Sequence, residues 1–223
     1  MQGKTHKIAG MCIGVITADY LLKHQYSQNM LFSIVTIGAI TITSPYVIRK
    51  IPFNIKNKLI LFFLIGLFFL LKKINLDYSY IERSYLTFII IFGSIAGSLL
   101  PDIDHPNSSL GSKCKPLSKL LNSRFGHRGF IHSPILLIVS MLVLFLLVGM
   151  VNINYQIYYI SLIVGIFIGW ISHLLLDFIT VSGIPIFYPI SNKKFRILKL
   201  KTSKHDLLVA IVCLVITYLY IFL

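Results

Sequence analysis

The sequence predicts an all-α fold, a polytopic membrane bundle of about seven transmembrane helices. Hydrophobic residues make up 56% of the 223-residue chain, charged residues only 13%, and the mean hydropathy is +0.82. A soluble domain of this length needs more surface charge to remain in solution. Several apolar stretches approach the length of about 20 residues that a helix needs to cross a bilayer. We therefore expect a single transmembrane domain over residues 1–223.

The predicted helices follow the apolar stretches in chain order. Their ranges are 8–22, 30–48, 59–71, 84–100, 134–151, 157–179 and 207–223. The first and third are short, and about six helices span if either does not. Lys4 and Lys7 precede the first stretch as in a signal peptide, but Asp19 interrupts it and no small-residue cleavage site follows. We expect this segment to stay attached as the first helix.

The distribution of basic residues predicts the orientation of the helices. The formal net charge is +14, with 21 Lys and Arg against 7 Asp and Glu. If the N-terminus is inside, the inside segments hold all of the basic residues except Lys23, Lys72, Lys73 and Arg83. Because Lys and Arg concentrate in cytoplasmic loops, we expect a cytoplasmic N-terminus. Contact with anionic membrane lipids then accounts for the basic charge without a nucleic acid partner. The oligomeric state is left open.

Two long loops, 101–133 and 180–206, face the inside in this arrangement, and the second is strongly basic. All histidines except His24 also fall at or near the inside ends of helices. The three cysteines, Cys12, Cys114 and Cys213, are far apart and form no CxxC pair. They predict reduced thiols rather than a disulfide framework or a thiolate zinc site.

The motif HLLLD, from His173 to Asp177, presents an imidazole and a carboxylate together, because helix residues four apart lie on one face. Both are metal-ligand types, and an ionisable pair in a membrane helix is costly without a partner. The alternative is a His–Asp hydrogen bond that only satisfies two polar groups.

Loop 101–133 contains two further motifs. PDIDH supplies Asp102, Asp104 and His105. A turn there would direct two of these three side chains at one ion. The alternative is that the Asp side chains only cap the helix end and stabilise the turn. GHRGFIHS supplies His127, Arg128 and His132. The Arg guanidinium suits phosphate or carboxylate oxygens, and the alternative is a basic loop solvated at the lipid headgroups.

Small residues recur at four-residue steps in three of the predicted helices. The steps are His6–Gly10–Gly14–Ala18, Gly93–Gly97–Pro101 and Gly165–Gly169–His173–Asp177. Such stripes let membrane helices approach closely. We expect helices 8–22, 84–100 and 157–179 to pack together, so that each stripe ends at the inside surface on or beside a candidate ligand. Read alone, His6 is an N-terminal surface histidine. His205 and Asp206 belong to SKHD, a capping box before the last helix.

Together these motifs predict a metal site built only from nitrogen and oxygen ligands. The candidate ligands are His6, Asp102, His105, His132, His173 and Asp177. Asp104 and His127 are candidates for the general base or a further ligand, and Arg128 for holding an anionic group. A His-rich set of this kind favours a divalent metal ion, with zinc first and manganese or iron as alternatives.

The three motifs LLPDIDHPNSSLG, FGHRGFIHSP and GWISHLLLDFITVSGIPIFYP, together with His6, resemble the bacterial YdjM family. This family is described as LexA-binding, inner membrane-associated hydrolases or membrane-bound metal-dependent hydrolases. The resemblance implies a bacterial inner membrane protein and metal binding by the His and Asp residues named above. It implies no particular substrate, and nothing in this sequence bears on LexA. Residues 23–90 carry little of the resemblance.

Three functions are compatible with these residues. The first is a membrane-bound metal-dependent hydrolase that acts at the cytoplasmic face on a phosphoester or lipid-linked substrate. The second is a metal-handling or transport protein, since intramembrane His and Asp also mark ion paths. The third is a non-catalytic membrane protein in which a structural metal fixes the long loop.

Overall fold

The computed structural model describes residues 3–22, 35 and 78–223, and these form a bundle of helices. The helices are α1 (Gly3–Leu21), α2 (Tyr78–Gly97), α3 (Lys115–Phe125), α4 (Pro134–Leu146), α5 (Ile153–Phe178) and α6 (Thr202–Phe222). Short 3₁₀ turns cover Pro101–Asp104, Phe130–His132 and Leu147–Met150. In the described part of the chain, β structure is limited to the isolated bridges Thr180–Leu200 and Ile184–Phe195. The predicted all-α class is confirmed.

Three segments are long and apolar enough to cross a membrane: Glu82–Asp104, Ile153–Phe178 and His205–Phe222. The apolar segment Pro134–Met150 is shorter. The predicted helices at 30–48 and 59–71 lie outside the described residues, apart from Val35. Membrane character is therefore supported by three spans, and the predicted count of about seven is not confirmed.

Helices α2 and α5 cross in close contact through their glycines. A β carbon added to Gly93 would lie 2.9 Å from the carbonyl oxygen of Leu162, and one added to Gly169 would collide with the carbonyl oxygen of Ser94. Helix α1 approaches the same place, where the Ser94 hydroxyl donates a hydrogen bond of 2.6 Å to the carbonyl of Gly10. The packing of these three helices along their small-residue stripes is confirmed.

The ends of the helices show which parts of the chain share one end of the bundle. The Thr5 hydroxyl, near the start of α1, donates to the carbonyl of Asp206 in the first turns of α6 at 3.4 Å. At the other end of these two helices, the Tyr220 hydroxyl donates to Asp19 at 3.1 Å. The first turn of α1 therefore lies beside the start of α6, and the apolar core between these helices includes Met11 and Ala210.

The loop 101–133 is more regular than the sequence analysis predicts, because it contains α3. The Asn122 amide of α3 donates to the carbonyl of Asp104 at 2.8 Å, and the Ser108 hydroxyl donates to the carbonyl of Asp102 at 2.6 Å. The first bond holds the Pro101–Asp104 turn against α3, and the second joins the turn to the loop that follows it. The turn therefore has a fixed position at the end of α2.

Candidate metal centre

Three imidazole rings converge on the carboxylate of Asp177. The Nε2 atoms of His6, His132 and His173 lie 3.7, 3.4 and 3.5 Å from its oxygens, and the Nε2 atoms of His132 and His173 are 3.3 Å apart. The rings come from α1, from the Phe130–His132 turn and from α5. All four side chains are buried. Residues predicted from separate motifs thus form one cluster.

A backbone carbonyl directly after the end of α2 fixes the orientation of the His173 ring. Its Nδ1 lies 2.6 Å from the carbonyl oxygen of Ser98. A carbonyl only accepts hydrogen bonds, so Nδ1 carries the proton, and in the neutral ring Nε2 has a free lone pair. That lone pair is the one that faces the cluster. The four-residue spacing to Asp177 predicted this pairing correctly.

His6 is fully buried, yet neither of its ring nitrogens has a hydrogen-bond partner among the described residues. Its ring stacks on that of His173, with centroids 3.7 Å apart. A buried polar group without a partner costs free energy unless something else satisfies it. The Nε2 of His6 points to the Asp177 carboxylate, where a cation would satisfy it.

Asp104 is a buried carboxylate that contacts His132, from the other side of its ring, and one further histidine, His127. One of its oxygens lies 2.9 Å from Nδ1 of His127, and the other lies 3.3 Å from Nδ1 of His132. The backbone N–H of Arg128 also donates to it at 3.2 Å. Carboxylates behind metal-ligating histidines fix the ring orientation and the tautomer in this way. Burial lowers the pKa of His132 below its ordinary value of 6.5, so the ring is neutral and able to bind a metal at neutral pH.

Arg128 makes its strongest contacts inside the protein. Its guanidinium donates to Asp177 at 2.7 Å and to the hydroxyl of Thr180 at 2.8 Å. Its backbone φ is +60°, a conformation that is uncommon for residues other than glycine and that clusters at functional sites. Its assignment to a substrate anion stays a prediction. Thr180 was not predicted, although it lies three residues after Asp177 and two residues after the end of α5.

The remaining predicted residues lie around this cluster. Asp102 has an oxygen 3.8 Å from Nε2 of His173 and keeps 14% of its side chain exposed. Asp102, His132 and His173 form one group of potential ligands within 4.8 Å of one another, and His6, His173 and Asp177 form another. His105 belongs to neither group among the described residues. Its ring contacts that of His127 at 4.8 Å, and His127 is 36% exposed.

The donor set and its spacing fit a divalent metal ion. Zn²⁺ binds His nitrogens at about 2.0–2.1 Å in tetrahedral geometry, which separates ligand atoms by about 3.3–3.4 Å. The Nε2 atoms here lie 3.4 to 3.7 Å from the Asp177 oxygens, and those of His132 and His173 lie 3.3 Å from each other. No thiolate contributes, so the chemistry also suits Mn²⁺ or Fe²⁺. The buried nitrogens of His6, which have no hydrogen-bond partner among the described residues, are a second observation that fits a cation at this position.

Comparison with known proteins identifies the family. Residues 59–223 match the YdjM inner membrane protein family. The chain belongs to this family. Inner membrane protein YdjM of Escherichia coli (strain K12) is 37% identical over 127 residues, 56% of this chain and 61% of that protein. YvsG of Bacillus subtilis (strain 168) is 36% identical over 107 residues, 48% of this chain and 61% of that protein.

The chain spans about three-fifths of the length of these curated relatives. No solved structure matches it. The YdjM match and the three apolar spans together establish an inner membrane protein. The match covers every predicted site residue except His6, which α1 brings to the cluster from outside the matched range.

Proposed function

We propose that this YdjM-family protein is a membrane-bound metal-dependent hydrolase. The observation that carries the proposal is the convergence of three imidazole Nε2 atoms on the carboxylate of Asp177, at distances of 3.4 to 3.7 Å from its oxygens. His6, His132, His173 and Asp177 would hold the ion, and Asp102 is positioned to contribute to it. A bound divalent ion supplies Lewis acidity that polarises a scissile bond and activates water.

The pair formed by His127 and Asp104 is suited to moving a proton. Asp104 binds Nδ1 of His127 at 2.9 Å, so the proton stays on that nitrogen and Nε2 has the lone pair. Because His127 is partly exposed, Nε2 is accessible to a water molecule or substrate at the edge of the cluster. In this role His127 accepts the proton and Asp104 orients the ring.

The substrate class we propose is a phosphoester or another bond in a lipid-linked molecule. The cluster lies beyond Gly97, where α2 gives way to the Pro101–Asp104 turn, and near the end of α5. With the predicted cytoplasmic N-terminus, this level corresponds to the inner headgroup region. A lipid substrate reaches such a site without leaving the bilayer.

A structural metal site is the second candidate, and one observation favours it. His6, His132 and His173 have no exposed surface, as in closed sites, whereas catalysis requires an open position. Asp102 and His127, both partly exposed, provide the open side in the hydrolase proposal. A transport role has less support, because α5 contains no Asp, Glu, Lys, Arg or His before His173.

The test is metal content measured by elemental mass spectrometry on the full chain purified in detergent. We expect bound divalent metal in the wild type, loss of it in His173→Ala, and a reduced amount in Asp102→Ala. His205→Ala is the control, since the hydrogen bond of its ring in the described residues is to the carbonyl of Lys201 and not to the cluster. Unchanged metal in both cluster variants would contradict the site. Chelator-sensitive cleavage across a phosphoester panel then separates a hydrolase from a structural site.

A further inference from the structure

A polar cavity of about 270 Å³ opens beside the candidate metal centre. One wall is the end of α3 and the turn after it, from Arg124 to Gly129. The other wall is formed by four residues of the loop after α5, Pro185, Tyr188, Asn192 and Lys194. The volume lies near the lower end of the range for ligand pockets, about 300–1,000 Å³. It has room for a compact headgroup rather than for a whole lipid.

The charged side chains that line this cavity in the described part of the chain are all positive. They are Arg124, Arg128 and Lys194, and no described carboxylate lines it. Between Asp104 and Asp206 the sequence contains one acidic residue, Asp177, and Arg128 binds that residue inside the protein.

The remaining two cations have no carboxylate partner among the described residues. Arg124 makes no hydrogen bond or ion pair there, and Lys194 reaches only the carbonyl of His127, at 3.5 Å. Two cations that face an open cavity without a carboxylate to neutralise them favour an anionic ligand, and guanidinium and ammonium groups both bind phosphate oxygens.

The cavity is joined to the metal centre through shared residues. His127 lines the cavity and is bound to Asp104, and Arg128 lines it and is bound to Asp177. A group held in the cavity is therefore next to the predicted proton acceptor. Its own clamps are Arg124 and Lys194, because the guanidinium of Arg128 is directed inward.

The two segments that form the walls also carry, outside the cavity lining, exposed apolar side chains that favour a membrane surface. Leu120 on α3 is 51% exposed, and Phe187 and Ile190 in the loop after α5 are 55% and 93% exposed. Basic residues beside exposed apolar ones are typical of segments that lie in the headgroup region of a bilayer. The mouth of the cavity is thus suited to a ligand that arrives within the membrane.

We infer that this cavity is a phosphate-binding subsite, in which Arg124 and Lys194 hold the phosphate group of a membrane-borne substrate beside His127. The inference deepens the proposed hydrolase function and names the substrate class as a phosphate ester of a lipid or lipid-linked molecule. The two clamps determine specificity and are not metal ligands.

The test compares phosphate binding by the full chain in detergent, with two matched double variants. Arg124→Gln with Lys194→Gln removes the clamps. Lys119→Gln with Lys193→Gln removes the same charge from the same two segments but outside the cavity lining. The probes are radiolabelled orthophosphate and dihexanoyl phosphatidic acid, with dihexanoylglycerol as the phosphate-free lipid. Binding is followed by equilibrium dialysis, and metal content is measured on every sample.

We expect the clamp variant to bind both phosphate probes at least about tenfold more weakly, and the control variant to bind as the wild type does. Tighter binding of the short-chain lipid than of orthophosphate identifies a lipid headgroup, and equal binding identifies a free phosphate group. Equal weakening in the control, or unchanged binding in the clamp variant, would overturn the subsite. Repeating the dialysis on chelated protein separates the two proposals, because clamp-dependent binding that survives chelation stands even if no hydrolysis is found.

Discussion

Asp104 links three parts of the site through one buried carboxylate. Its two oxygens separately contact the Nδ1 atoms of His127 and His132, and one of them accepts the backbone N–H of Arg128. A carboxylate in this position costs desolvation energy, which its charge-assisted hydrogen bonds offset. At the scale of single residues, Asp104 therefore fixes the orientation of both rings through their Nδ1 atoms and leaves their Nε2 atoms free for other contacts.

This arrangement predicts the effect of Asp104→Asn. The amide keeps the size of the side chain but presents only one acceptor oxygen, so the rings of His127 and His132 lose their common partner. We expect metal affinity to fall about 10–100-fold, measured by competition with a chromophoric chelator. Glu82→Gln, near the start of α2, is the control for loss of one negative charge. Unchanged affinity in Asp104→Asn would mean that Asp104 does not position these rings.

At the scale of elements, the crossing of α2 and α5 sets the distance between the His173 ring on α5 and the backbone carbonyl that orients it at the end of α2. Gly169 lies against the backbone at Ser94, and four residues further along each helix the carbonyl of Ser98 binds His173 at 2.6 Å. The same close approach therefore brings the acceptor and the ring together. The packing of α2 against α5 and the orientation of the His173 ring therefore depend on the same close approach.

Gly169→Ala tests this coupling. The added methyl group collides with the α2 backbone, and overpacking of this kind costs about 1–3 kcal/mol. We expect a lower thermal unfolding midpoint and weaker metal retention in the same variant, because the helices separate at the site end. Gly149→Ala is the matched control, since nothing lies within 4 Å of its added β carbon. A destabilised variant that keeps full metal affinity would show that the crossing and the site are independent.

The periodic features of these elements could be predicted from the sequence, and the contacts of the loops could not. The pairing of His173 with Asp177 and the glycine crossings follow from helical spacing, which is a local property. Helix α3 was missed because its 11 residues are mostly polar, with a short apolar stretch. The bond from Arg128 to Asp177 joins residues 49 apart. A periodic pattern in the sequence cannot predict it, because the position of a loop side chain depends on tertiary contacts.

At the scale of the whole molecule, the site occupies one end of the bundle. His6 near the start of α1 reaches Asp177 near the end of α5, at 3.7 Å. The Pro101–Asp104 turn after α2 contacts the same cluster through Asp102 and Asp104. The N-terminus and loop 101–133 must therefore lie on the same side of the membrane. The inside-positive charge pattern predicts that this side is the cytoplasm.

Cys114, the exposed thiol in that loop, makes the orientation testable with a membrane-impermeant maleimide. In a background with Cys12→Ala and Cys213→Ala, we expect no labelling of Cys114 in intact spheroplasts and full labelling after the membrane is permeabilised. The control carries Cys114→Ser and Asn154→Cys in the same background, so that its only thiol lies at the exposed start of α5. Position 154 is near the opposite end of that helix from Asp177. We expect the control to label without permeabilisation. If Cys114 labels in intact spheroplasts and the control does not, the site faces outward. The cavity lined by Arg124 and Lys194 would then open to the outer leaflet, because the structure places the cavity and the metal centre at the same end of the bundle.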